Sequence, residues 1–142
     1  MHELIRVGEV IITFLKSRHE TDGALDLFEI TVPPHANSVI PHLHREYDES
    51  VIGMDGIMTW TVDGKQTQLR RGEQLFVPRG VVHTFTNQHQ STARMMCILT
   101  PGKVGPEYFR DLAAVFDASG SPNLAELGAV MTRYGVVPVT AA

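Results

Sequence analysis

The sequence predicts a mainly β protein, a sandwich or barrel of short strands followed by two helices. Three observations carry this. Short runs of β-branched and aromatic residues recur through the first hundred positions, each bounded by Gly, Pro or Asp. One of them alternates and leads into an Asp-Gly hairpin signal at Asp63-Gly64. After Pro101-Gly102 the apolar residues return at helical rather than strand spacing. Many short strands at this spacing suit a barrel better than alternating βα units.

The first strand is expected at Val10–Leu15 and a second at Leu25–Val32, closed by Pro33-Pro34. Ile57–Val62 is the alternating run, with Met58, Trp60 and Val62 on one face and Thr59 and Thr61 on the other. Its return strand runs through Gln66–Leu69, and further strands are expected at Gln74–Val77, His83–Asn87 and Ala93–Thr100. The first helix is expected over Glu107–Phe116, with Pro106 in its first turn and Phe109, Leu112, Val115 and Phe116 on one stripe. The second is expected to start with Ser121 as N-cap and Pro122 at N1. It turns Leu124, Leu127 and Met131 inward and ends before Gly135. A single domain over 1–142 follows, with a barrel over about 8–102 and helices over about 106–134 that cover it.

Composition narrows the partners. The chain has 142 residues, 43% hydrophobic and 20% charged, with a formal net charge of −4. That balance is average for a globular protein and offers no basic patch for nucleic acid. Cys97 is the only cysteine, so no internal disulfide forms, and it reads as a small buried hydrophobe. No run reaches the ~20 apolar residues that cross a bilayer, and acids interrupt the N-terminal stretch Met1–Glu9. A soluble cytoplasmic protein is the expectation.

The chemistry concentrates in histidines. His42 and His44 lie one residue apart, so on a strand both project from one face and form half of a metal site. Carboxylates follow at once in Glu46, Asp48 and Glu49. His83 comes some forty residues later, just past the turn Pro78-Arg79-Gly80. His-x-His, four residues, Glu49, six residues and Gly56 form one motif. Gly72, five residues, Pro78-x-Gly80, two residues, His83, three residues and Asn87 form the second, after a spacer of fifteen residues.

These motifs resemble the two motifs of the cupin superfamily, and the chain looks like the small single-domain cupins of the quercetin dioxygenase branch. One departure is Ala36, which stands where the first motif opens with glycine. The resemblance implies a cupin jelly-roll (double-stranded β-helix) barrel. It also implies that His42, His44, Glu49 and His83 bind one divalent transition metal per chain, among Fe, Mn, Ni, Co, Cu and Zn, with Glu49 also serving as a catalytic base. Strict alternation would instead turn Glu46 and Asp48 inward, so Glu49 requires a bulge or turn between Arg45 and Asp48. Glu46 is the runner-up ligand.

Met58, Trp60 and Phe85 share the inward parity and are expected to wall a substrate pocket. His35 is placed in a loop, and His2, His19 and His89 on the surface. The function expected is a mononuclear non-heme dioxygenase-type oxidoreductase acting on a small aromatic or enolisable substrate. A non-oxidative isomerase or lyase and a non-catalytic binding module are the alternatives, since fold analogy alone does not choose a chemistry. A homodimer is expected, with Val10–Leu15 as the strand lent to the partner.

Overall fold

The computed structural model describes residues 2–36, 40–116 and 121–139. The strands are β1 (Glu3–Val7), β2 (Val10–Lys16), β3 (Asp26–Val32), β4 (His42–His44), β5 (Asp48–Asp55), β6 (Met58–Val62), β7 (Lys65–Leu69), β8 (Gln74–Val77), β9 (His83–Thr86), β10 (Ala93–Thr100) and β11 (Val136–Pro138). The helices α1 (Gly105–Ala113) and α2 (Leu124–Arg133) lie between β10 and β11.

Two sheets form a jelly-roll barrel, one in the order β1-β2-β3-β10-β5-β8 and the other β11-β4-β9-β6-β7. All strand pairs are antiparallel. Alternation drives this arrangement: β3 and β10 each bury every second residue, so Phe28, Ile30, Met95 and Cys97 face the opposing sheet. The Asp63-Gly64 hairpin has φ of 51° and 78°, the left-handed pair that a two-residue type I′ turn demands.

Four strands lay beyond the expected set. β1 extends the barrel to the N-terminus, β4 and β5 carry the histidine motif and Glu49, and β11 returns after α2 to pair with β4. The presence of β1 overturns one expectation. β2 is hydrogen-bonded on both sides, to β1 and β3, so Val10–Leu15 is an interior strand and not an edge to lend.

The helices also differ in detail. α1 ends at Ala113, so Val115 and Phe116 follow it rather than continue its stripe, and the buried face is Gly105, Tyr108 and Leu112. α2 starts two residues later than expected. Asn123, not Ser121, is the N-cap, its side chain accepting from the Glu126 backbone N–H. Pro122 pairs with Phe116 in an isolated bridge. Leu127 and Met131 are buried as expected, but Leu124 is 68% exposed because it begins the helix at the rim of a cavity. Gly135 has φ 77°, the left-handed residue that ends the helix.

Asp26 ties the helices to the barrel. It is fully buried and accepts from the backbone N–H groups of Arg18, Val104 and Gly105, two of them at the start of α1. Among the described residues, no helix is long and apolar enough to cross a membrane.

Candidate metal centre

The site is assembled from both sheets. β4 and β9 are neighbours, and His42 and His83 are direct cross-strand partners. His44, two residues on, shares their face. The Gly80 backbone N–H donates to the His44 carbonyl at 2.7 Å, which fastens the turn before His83 against β4. Gly80 has φ 81°, so the turn favours a glycine there. Glu49 comes from the opposite sheet, on β5 between β8 and β10.

The chain breaks strand pairing over residues 45–47, and β5 resumes at Asp48. That turn flips the parity, so Glu49 is 6% exposed and faces inward. Glu46 faces solvent, its side chain 67% exposed and 3.9 Å from Lys103 Nζ. Asp48 is bound at the surface by Arg79, through the Arg79 backbone N–H and guanidinium.

The imidazoles of His42, His44 and His83 form a tight triangle. Their ring centroids lie 4.5–5.1 Å apart, and each offers one ligand nitrogen within 4.8 Å of the others. Glu49 Oε1 lies 3.6 Å from His83 Nε2 and 3.9 Å from His44 Nδ1, so the carboxylate flanks two of the three rings. The Nδ1 atoms of His42 and His83 meet the carbonyls of Ile40 and Val81 at 2.6 and 2.9 Å. With Nδ1–H donating, Nε2 of both rings carries the free lone pair. His83 Nε2 is one of two buried side-chain nitrogens with no hydrogen-bond partner among the described residues. An orphaned ligand atom inside a triangle of imidazoles fits a metal ion, and the donor set suits first-row transition metals.

Electrostatics agrees. Burial lowers the His42 pKa to about 4 and that of His44 to about 3, so both are neutral imidazoles, the ligating form, at neutral pH. Burial pushes the Glu49 carboxyl up, but the close approach of the His83 and His44 rings, at 3.6 and 3.9 Å, outweighs it and lowers the carboxyl to about 2. His83 is likewise opposed by burial, and its pairing with Glu49 raises it on balance. Cys97 is fully buried, and burial together with the nearby Glu49 pushes its thiol far above the usual range, as an inert core residue requires.

The triangle opens into a cavity of about 530 Å³. Trp60, fully buried, and Phe85 lie along its wall, whereas Met58 lies outside its lining and packs in the core. The register explains this. Val62 lies opposite His83 and Trp60 opposite Phe85, so Met58 sits two residues further from the metal end of β6. Tyr47 and Tyr108 also line the cavity and were not anticipated. Tyr47 stacks on His44 at 4.3 Å, and no periodicity marks it because it lies in the irregular turn. Tyr108 lies beside the expected helical stripe rather than on it, and α1 turns it inward.

His35 is an exposed loop residue with φ 56°. It takes the left-handed conformation one position before Ala36, which is buried. His19 lies on the surface as expected and His89 is half-buried, and both have side-chain partners. His19 Nε2 lies 2.9 Å from Glu107 Oε1, and His89 Nε2 lies 3.2 Å from Gln68 Oε1.

Residues 28–99, half of the chain, match the cupin domain family. The chain is a cupin. It is similar to quercetin 2,3-dioxygenase of Bacillus subtilis (strain 168), 27% identical over 110 residues, which cover 78% of this chain and 32% of that protein. It is similar also to the tetracenomycin polyketide synthase protein TcmJ of Streptomyces glaucescens, 33% identical over 87 residues, covering 61% of this chain and 56% of that one. The match thus spans about a third to a half of these relatives' own lengths. Among solved structures, a predicted oxalate decarboxylase from Thermotoga maritima superposes with a TM-score of 0.63 at 21% identity, covering 71% of this chain and 92% of that one. KdgF from Halomonas sp. superposes with a TM-score of 0.62 at 15% identity, covering 70% and 86%. These structures share the fold, and the chain is a small cupin resembling quercetin dioxygenase-like proteins.

Proposed function

We propose that this cupin is a mononuclear metal-dependent oxidoreductase of the dioxygenase type, acting on a small aromatic or enolisable substrate. The observation that supports it best is the convergence of three imidazoles, with Glu49 against two of them, at the buried end of an aromatic-walled cavity. His42, His44 and His83 would hold the ion, and Glu49 is the fourth ligand or the base. A divalent ion there would supply Lewis-acid charge to a phenolate or enolate oxygen and, if redox-active, access to O₂ chemistry.

The protein's own groups do the rest. Glu49 is an ionised carboxylate at neutral pH but a weak base, so its taking the proton of an enol or phenol relies on a bound ion that lowers the pKa of that group. Phe85, 8% exposed, offers aromatic surface against which a flat substrate orients, and the fully buried Trp60, with its ring centroid 5.0 Å away, backs it. The buried walls keep bulk water from the reacting end.

The similarity to quercetin 2,3-dioxygenase supports the oxidative reading. Oxygen uptake by the Fe-, Mn-, Ni-, Co- and Cu-loaded protein with a panel of flavonols, catechols and enolisable diketones tests it. Substrate-dependent uptake that disappears in His42→Ala is expected. Turnover that persists without oxygen, or with Zn, would replace it with isomerase or lyase chemistry. A ligand bound tightly but unchanged, with metal and oxygen present, would leave a binding module. We place the protein in the cytoplasm as a single-domain homodimer. The open edge of β8 and the 56% exposed Phe76 on it support the dimer.

A further inference from the structure

The cavity continues well past the metal centre. Its buried end is built by the barrel strands, where His83 is 2% exposed. Its other end is built by segments outside the matched cupin domain: the β1–β2 turn, α1 and α2. Leu112, Leu127 and Met131 project from the helices onto this outer half, and each is at most 9% exposed. The opening is marked by Leu124, 68% exposed, and by the exposed Glu9.

The two halves differ in chemistry. The inner half holds the histidines, Glu49 and the Trp60 indole, whose Nε1 is buried without a hydrogen-bond partner. Such an orphan donor awaits an acceptor. The outer half is almost wholly aliphatic and aromatic. Among the described residues no Lys or Arg lines the cavity; of the two cations flanking the motifs, Arg45 is exposed and Arg79 is held by Asp48 at the surface. No cationic side chain among the described residues along the channel would neutralise a phosphate or a second carboxylate.

We infer that the helical half is the specificity-determining half of the pocket. It receives the uncharged apolar tail of a ligand whose oxygen-bearing head lies among the histidines, and Leu112, Leu127 and Met131 set how long that tail can be. This rests on the cavity being the ligand site of the proposed function, but not on oxygen chemistry.

The test is binding, read by the fluorescence of Trp60, the only tryptophan in the chain. The metal-loaded protein is titrated with para-alkylphenols from p-cresol to p-octylphenol. Affinity should rise about three- to fourfold per added CH₂ until the channel is full. Leu127→Gln and Met131→Gln should flatten that rise, read for each variant as the ratio of p-octylphenol to p-cresol affinity at matched metal content. Leu127→Phe, which keeps the wall apolar, should stop the rise at a shorter chain and guards against a polar variant that fails to fold. Affinity independent of chain length, no quenching by any phenol, or an unaltered rise in Leu127→Phe would overturn the inference. A chain-length effect without oxygen uptake would retain it and remove the dioxygenase reading.

Discussion

At the residue scale, three imidazoles and a carboxylate divide their labour by sheet. His42, His44 and His83 share one sheet and one face, whereas Glu49 reaches them from the other. Removing an imidazole should therefore cost the ion, and removing the carboxylate should first cost chemistry. His42→Ala is expected to lower metal affinity by about a hundredfold or more, measured as metal per chain after dialysis. Glu49→Gln is expected to keep most of the metal and lose turnover. Glu46→Ala, whose side chain points to Lys103, should change neither. Metal lost on Glu46→Ala but kept on Glu49→Ala would reverse the assignment of the carboxylate.

At the scale of elements, two backbone devices hold the site and its cover in place. Gly56 sits between β5 and β6 with φ 69°, and a Cβ there would lie 2.5 Å from the Thr92 carbonyl oxygen. Gly56→Ala should cost about 2 kcal/mol in denaturant unfolding, from left-handed strain plus the clash. Asp26 satisfies three backbone N–H groups, two of them buried where α1 starts without a side-chain cap of its own. Asp26→Ala leaves them unpaired and should cost about 3 kcal/mol or more. Because α1 carries part of the outer pocket, the same variant should weaken binding of long alkylphenols. A destabilised protein that bound them as before would separate the helix from the pocket.

At the scale of the whole molecule, the burial of the histidines ties stability to pH. His42 and His44 bind protons in the unfolded chain near the ordinary histidine value of 6.5, but in the folded protein only near 4 and 3. Between those values the unfolded state holds more protons, so stability falls as pH drops below 6.5. Glu49, held at about 2 against 4.5, works in the same direction at lower pH, its contribution being lost as pH falls through 2. His83 works the other way, since its raised value favours the fold at low pH, but it is one group against two. The chelator-treated protein should therefore melt at a lower temperature at pH 5 than at pH 7, and His42→Gln should reduce the difference. A melting temperature that rose toward pH 5 would contradict the burial argument. The assembly is settled by light scattering, for which twice the chain mass is expected at micromolar concentration.

The barrel and the place of the histidines were legible because their signals are local. Alternation in Ile57–Val62, the Asp63-Gly64 turn and the one-residue spacing of His42 and His44 each depend on a few neighbouring residues. Even the inward turn of Glu49 could be anticipated, as a break required between Arg45 and Asp48. What stayed hidden depends on residues far apart in the chain. That β2 is an interior strand, that β11 returns to β4, and that Met58 belongs to the core rather than the pocket are matters of which strands pair and in what register. Leu127 and Met131 read as inward from their helical spacing, yet inward onto a cavity and inward onto a core look the same in a periodicity. The sequence by itself determined the fold class and the candidate ligands, through local pattern. Only the tertiary structure decided the pocket, because an empty volume is enclosed by elements that no short stretch of chain contains.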